Sequence, residues 1–238
     1  MNINQPPRIF DDAHATAEGS LAKNFVANVF SWMVVGLLIT GFVASYAASS
    51  GLYVQLVGSG GLMMWVILLS PFAFIIAINA GLQKFSATTL TVLFLAFSGV
   101  MGLSLSSVFL VYSMGSITQV FLITAGTFAV MAFAGYTTSV DLSKFGALLF
   151  MALIGIIIAS VVNFFMQSSM MEFIISVGGV LVFTGLTAYD TQRIKRIGAG
   201  VEYGTAGATK LAILAAVSLY LNFVNLFLFL LRLLGGRN

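Results

Sequence analysis

The chain has 238 residues, of which 60% are hydrophobic and only 7% charged. Water-soluble domains carry roughly 25% charged residues, so a soluble globule is excluded, and the absence of cysteine excludes disulfides and thiolate metal centres. The formal charge of +3 is small, and where the basic residues fall says more than their sum.

The first stretch, MNINQPPRIFDDAHATAEGSLAKN, is polar and holds Pro6 and Pro7. It lacks the apolar core of a signal peptide, so residues 1–24 are expected to form a flexible polar tail. His14, the single histidine, lies in this tail and is expected to be a surface residue rather than a ligand. Seven apolar segments follow, each long enough to cross a hydrocarbon core of about 30 Å. They run from Val26 to Ala48, Leu62 to Asn79 (with Pro71 as a tolerated kink), Thr88 to Tyr112, and Ile117 to Ser139. The last three run from Ala147 to Phe165, from Met171 past Asp190, and from Thr209 to Leu234. With short connections throughout, residues 25–238 are expected to form one seven-helix transmembrane domain.

Orientation follows from lysine and arginine, which favour cytoplasmic loops. Arg8 and Lys23 precede the first segment, Lys84 and Lys144 sit in alternate loops, and Arg193, Lys195, Arg196 and Lys210 lie between the sixth and seventh. The intervening loops, SSGLYVQLVGSGG, SMGS and MQSSM, hold no basic residue. The pattern places the N-terminus in the cytoplasm, with Arg232 and Arg237 then external.

Polarity inside the segments is sparse and patterned. Ser98, Gly102 and Ser106 repeat at four-residue spacing on the third, the signature of a tight helix contact rather than a pore lining. On the seventh, Ser218, Asn222 and Asn225 share one face at i, i+4 and i+7. Buried amides need partners, since an unsatisfied one costs several kcal/mol, so this face is expected to look into the bundle. The sixth segment ends in GLTAYDTQRIKR. Asp11, Asp12, Glu18 and Glu202 lie in polar stretches and Asp141 and Glu172 at helix starts, which leaves Asp190 as the acid embedded in a helix. An ionisable group there is costly and marks a functional-site hypothesis. The bland alternative is a permanently charged aspartate that an arginine holds in place. Counted from the same side, Asp190 and Asn222 can reach similar depth, which does not by itself establish contact, and Thr187, Ser218, Asn225, Arg193 and Arg196 are expected to supply the surrounding polar core.

The blocks TGLTAYDTQRIKR, SLYLNFVNLFLFLLRLLG and SVDLSKFG together resemble the transmembrane Bax inhibitor motif family, the Bax inhibitor-1-like proteins, along nearly the whole chain. The resemblance implies an all-α membrane protein of seven helices with the last enclosed by the other six. It also implies a pH-responsive calcium leak in a bacterial inner membrane. In the family a sixth-helix aspartate, here Asp190, shares a proton with an aspartate of the seventh helix, and the corresponding position here is Asn222. The resemblance also places an arginine that in some members locks the sixth-helix aspartate, at the end of the second helix, on Gly81. An aspartate–asparagine pair cannot give the split titrations of two like charges, so a weaker or acid-shifted pH response is expected. Asp190 is expected to make transient calcium contact, calcium being the permeant ion rather than a cofactor, and no cofactor or nucleic acid is expected.

A reading of another class is a non-transporting interaction protein that modulates membrane proteolysis or stress survival, as some bacterial relatives are thought to do with a membrane protease. The N-terminal tail would then be its handle. Enzyme readings fare worse: there is no His-Glu-x-x-His motif, and a lone His14 outside the membrane leaves a histidine-dependent triad without its base.

Overall fold

The computed structural model describes the backbone of residues 8–58, 61–202 and 204–236, with side chains from Leu21 onward. His14 and Arg237, weighed above, lie outside the described side chains. The architecture is all-α: α1 (Arg8–Ser49), α2 (Leu52–Gly58), α3 (Leu62–Gly81), α4 (Ala87–Val111), α5 (Met114–Thr137), α6 (Ser143–Met166), α7 (Ser169–Ala199) and α8 (Ala206–Leu234). Seven of these helices are long and apolar enough to cross a membrane, the first over Leu21–Ser49. This follows from the solvent, since hydrocarbon offers a backbone no partner but itself and the helix satisfies every internal N–H and C=O.

Two details depart from the expected layout. α1 begins at Arg8, directly after Pro6 and Pro7, so helix runs through the stretch expected to be a flexible tail; no proline interrupts it before Ser49. The loop after α1 contains the short helix α2, entered at Gly51, whose φ of 73° ends α1. Four of the helix starts carry hydroxyl caps, which satisfy otherwise free N–H groups. Ser86 caps α4, Ser113 caps α5, Ser168 caps α7 and Thr205 caps α8. Pro71 is accommodated inside a continuous α3.

α8 is the most internal span, with 61% of its most apolar window buried against 6% for α6. α1, α3, α4, α5 and α7 pack against it, while α6 stands further out and packs principally on α7. That α6–α7 contact runs along small residues: Gly146 against the Tyr189 ring, Gly185 against Leu149 and Gly178 against Ile156. The stripe on α4 makes a close helix contact. Ser98, Gly102 and Ser106 are buried, and a Cβ on Gly102 would stand 2.7 Å from the Thr40 carbonyl and 2.8 Å from Val43 Cβ of α1. Mid-bundle, the Thr40 hydroxyl bonds the Ser98 carbonyl (2.8 Å) and the Tyr220 hydroxyl (2.7 Å), tying α1, α4 and α8 together. Phe94 and Phe97 close edge-on around Tyr220.

The ends of the bundle differ in charge. Lys210 donates to the Leu82 carbonyl, Arg196 pairs with Asp141, and Gly198 meets Ala22 and Phe25. These contacts gather the start of the first span and the α3–α4, α5–α6 and α7–α8 connections at one basic end. At the opposite end Ser113 N–H donates to the Gly236 carbonyl.

A carboxylate held by two donors of the last helix

Asp190 lies in the last third of α7, where the helix runs on for another two turns before Gly200. It is 7% exposed. Its Oδ2 accepts from two α8 side chains at once, Asn222 Nδ2 at 2.7 Å and the Ser218 hydroxyl at 2.8 Å. The two donors are four residues apart and so stand one above the other on the same face of α8. Such charge-assisted bonds are about twice as strong as neutral ones, and this is where a buried carboxylate gains what it loses in solvation.

A cavity of about 260 Å³ runs from Arg193 and Ile197, beside the α7–α8 connection, inward between α3, α7 and α8 to Asp190 and Ser218. Arg193 is exposed at its mouth, and Asn79 of α3, which sequence reasoning did not single out, lines its side. A group entering from the basic end thus meets a guanidinium first and a carboxylate and hydroxyl at the bottom. The Gly81 position sits apart from this cavity, covered by the Phe85 ring.

The remaining residues expected at the site have other partners. The Thr187 hydroxyl donates to the Phe183 carbonyl and Asn225 Nδ2 to the Leu221 carbonyl, each four residues back on its own helix. Arg196 turns away from Asp190 altogether. It donates to Asp141 Oδ1 (2.5 Å), to the Ser143 hydroxyl (2.6 Å) and to Gln192 Oε1. Gln192 meanwhile donates to the Val140 carbonyl (2.7 Å) and accepts from Leu142 N–H (2.9 Å). This clasp fixes the α5–α6 connection to the end of α7, and helical geometry foretells it. At about 100° per residue, Arg196 lies about 40° from Gln192 and about 120° from Asp190.

Within the clasp, bonds from Ser143, first of all its backbone N–H, and the Arg196 guanidinium hold the Asp141 carboxyl at about 2, below its ordinary 3.8. A depressed folded-state value adds stability that is present above the unfolded value and lost as pH falls through the folded one. Asp141→Asn is therefore expected to lower the melting midpoint at neutral pH by a small amount, since the pair is exposed. The gap to the parent should persist down to pH 4 and close as pH approaches 2, read from the fluorescence of Trp32 and Trp65. A gap that does not change with pH would show that the ionised carboxyl of Asp141 contributes nothing to it.

A seven-span helical bundle whose internal carboxylate is bonded by the final helix defines a class of polytopic membrane protein. Over residues 22–238 the chain matches the family described as Inhibitor of apoptosis-promoting Bax1, and it belongs to that family. It is 46% identical over 216 residues to the inner membrane protein YbhL of Escherichia coli K12, covering 90% of this chain and 92% of that one. A protein of Borreliella burgdorferi is 46% identical over 219 residues (91% and 94% covered), and one of Rickettsia prowazekii 38% identical over 219 residues (90% of each).

Proposed function

We propose that the protein is a pH-responsive cation leak of the bacterial inner membrane, with calcium as a permeant ion and Asp190 as the gate residue. The observation that carries this reading is the junction of the internal cavity with a carboxylate that α8 holds by two bonds. The basic end faces the cytoplasm, by the rule that lysine and arginine collect there. A cation reaching the bottom of the cavity meets Asp190 and the Ser218 oxygen. One carboxylate with a hydroxyl and an amide is a thin set for an ion that takes six to eight oxygens, which suits brief contact and passage rather than storage. Protonation acts on the same group. Adding a proton removes the charge that strengthens the Asn222 and Ser218 bonds, and so weakens the hold of α8 on α7.

The test is calcium influx into dye-loaded liposomes from pH 5 to 8. The parent protein should raise influx above protein-free vesicles, and Asp190→Asn, which keeps the shape and removes the charge, should lower it tenfold or more. Equal and negligible influx in both proteins at every pH would overturn the reading.

A further inference from the structure

Two glycine contacts hold α7 to its neighbours α1 and α5. Gly198 lies against Phe25 and Ala22 of α1, and Gly135 of α5 lies against Ala188. Beside these contacts α1 and α5 border a crevice on α7, and Phe30 and Phe128 pack edge-on at 6.3 Å. The crevice has a volume of about 670 Å³, with Thr191 contributed by α7, within the roughly 300–1,000 Å³ that ligand sites occupy. Small side chains make the room: Ala27 on the α1 wall, Ala129 and Ala132 on the α5 wall. Apart from Thr191, whose hydroxyl is bonded to the Thr187 carbonyl, the lining is apolar except at the basic end of the bundle. There Lys23 and Tyr136 border it, and Lys195 stands on the Tyr136 ring at 4.8 Å while donating to the Tyr136 carbonyl.

A largely apolar groove between membrane helices, ending at Lys23 and at Tyr136 with Lys195 stacked on its ring, matches the parts of a phospholipid in order. Acyl chain lies along alanine, glycerol at the aromatic level, and phosphate at the cations. We propose that the α1–α5 crevice seats one anionic phospholipid from the leaflet at the basic end, its headgroup against Lys23 and Lys195 and an acyl chain over Thr191. A zwitterionic headgroup brings its own cation to the same place and gains less. A lysine near the membrane surface favours an anionic lipid by an amount that corresponds to about a fivefold preference.

The experiment is native mass spectrometry of the full chain released from detergent containing equal amounts of palmitoyl-oleoyl phosphatidylglycerol and phosphatidylcholine. The expected result is one retained lipid per chain, phosphatidylglycerol over phosphatidylcholine by five- to tenfold. Lys23→Glu should abolish the preference. Ala27→Trp and Ala129→Trp, which fill the slot from opposite walls, should abolish retention with the melting midpoint unchanged. Equal retention of the two lipids by the parent protein, or parental retention in either tryptophan variant, would overturn the proposal. Should a tryptophan variant not fold, Lys23→Glu with an undiminished preference would overturn it alone.

Discussion

Gly135→Leu is expected to lower the melting midpoint more than any other single substitution considered for this protein. At this position α5 crosses α7 with backbone against backbone: a Cβ would fall 2.7 Å from the Ala188 Cα and closer still to the Ala188 carbonyl oxygen. Replacing a helical glycine normally helps, by about 1 kcal/mol. Here the obstacle is main chain, which cannot turn aside as a flexible side chain does, and overpacking of this kind costs about 1–3 kcal/mol or more. The clash wins. A net loss near 3 kcal/mol would lower the midpoint by roughly 6–12 °C for a chain of this size. Gly126 of the same helix supplies the control, since a Cβ there meets nothing within 4 Å. Gly126→Leu should leave the midpoint at or slightly above that of the parent. Equal midpoints for Gly126→Leu and Gly135→Leu would show that α5 does not press on α7 at Ala188.

Asn222→Leu is the second. It removes one of two donors to Asp190 Oδ2 and places a branched alkyl group beside the carboxylate. A hydrogen bond to a charged group contributes about 1.5–3 kcal/mol, and Asn222 is 5% exposed, so no water takes its place. Ser218→Ala removes the other donor, yet Ser218 is half-buried and lines the cavity, where water can stand in for the hydroxyl. The two variants should therefore differ. Asn222→Leu should lower the midpoint by several degrees and Ser218→Ala by a third of that or less, each measured in detergent at neutral pH. The reverse order would place the dominant support of the carboxylate on the hydroxyl.

The seven spans are legible in the sequence because lipid leaves the backbone one solution, and long apolar runs report it directly. The candidate site is legible in part. Spacing put Ser218, Asn222 and Asn225 on one face of α8, and the structure joins the first two to Asp190. Asn225 instead bonds the carbonyl four residues back, a local alternative open to polar side chains on a helix that spacing cannot tell apart from a cross-helix bond. The clasp of Arg196, Gln192 and Asp141 depends on which helix lies beside α7, and hydropathy does not carry that information. The same is true of Thr40 and Tyr220: neither stands out in its own segment, and their contact joins positions 180 apart in the chain.

The union of α6 with α7 has a mechanical consequence. α6 has no buried residue of its own, and glycines seat it on α7 at three levels while the Gln192–Arg196 clasp rivets the loop that begins it. The two helices therefore act as one lever. A tilt of α7 that shifts Asp190 against α8 must sweep α6 sideways through acyl chains, and the work of that sweep depends on bilayer thickness, at fractions of a kcal/mol per ångström of mismatch. If the proposed leak is gated at Asp190, membrane composition becomes a variable of it, and vesicles of short-chain and long-chain lipid should then show different calcium influx for the same protein at the same pH.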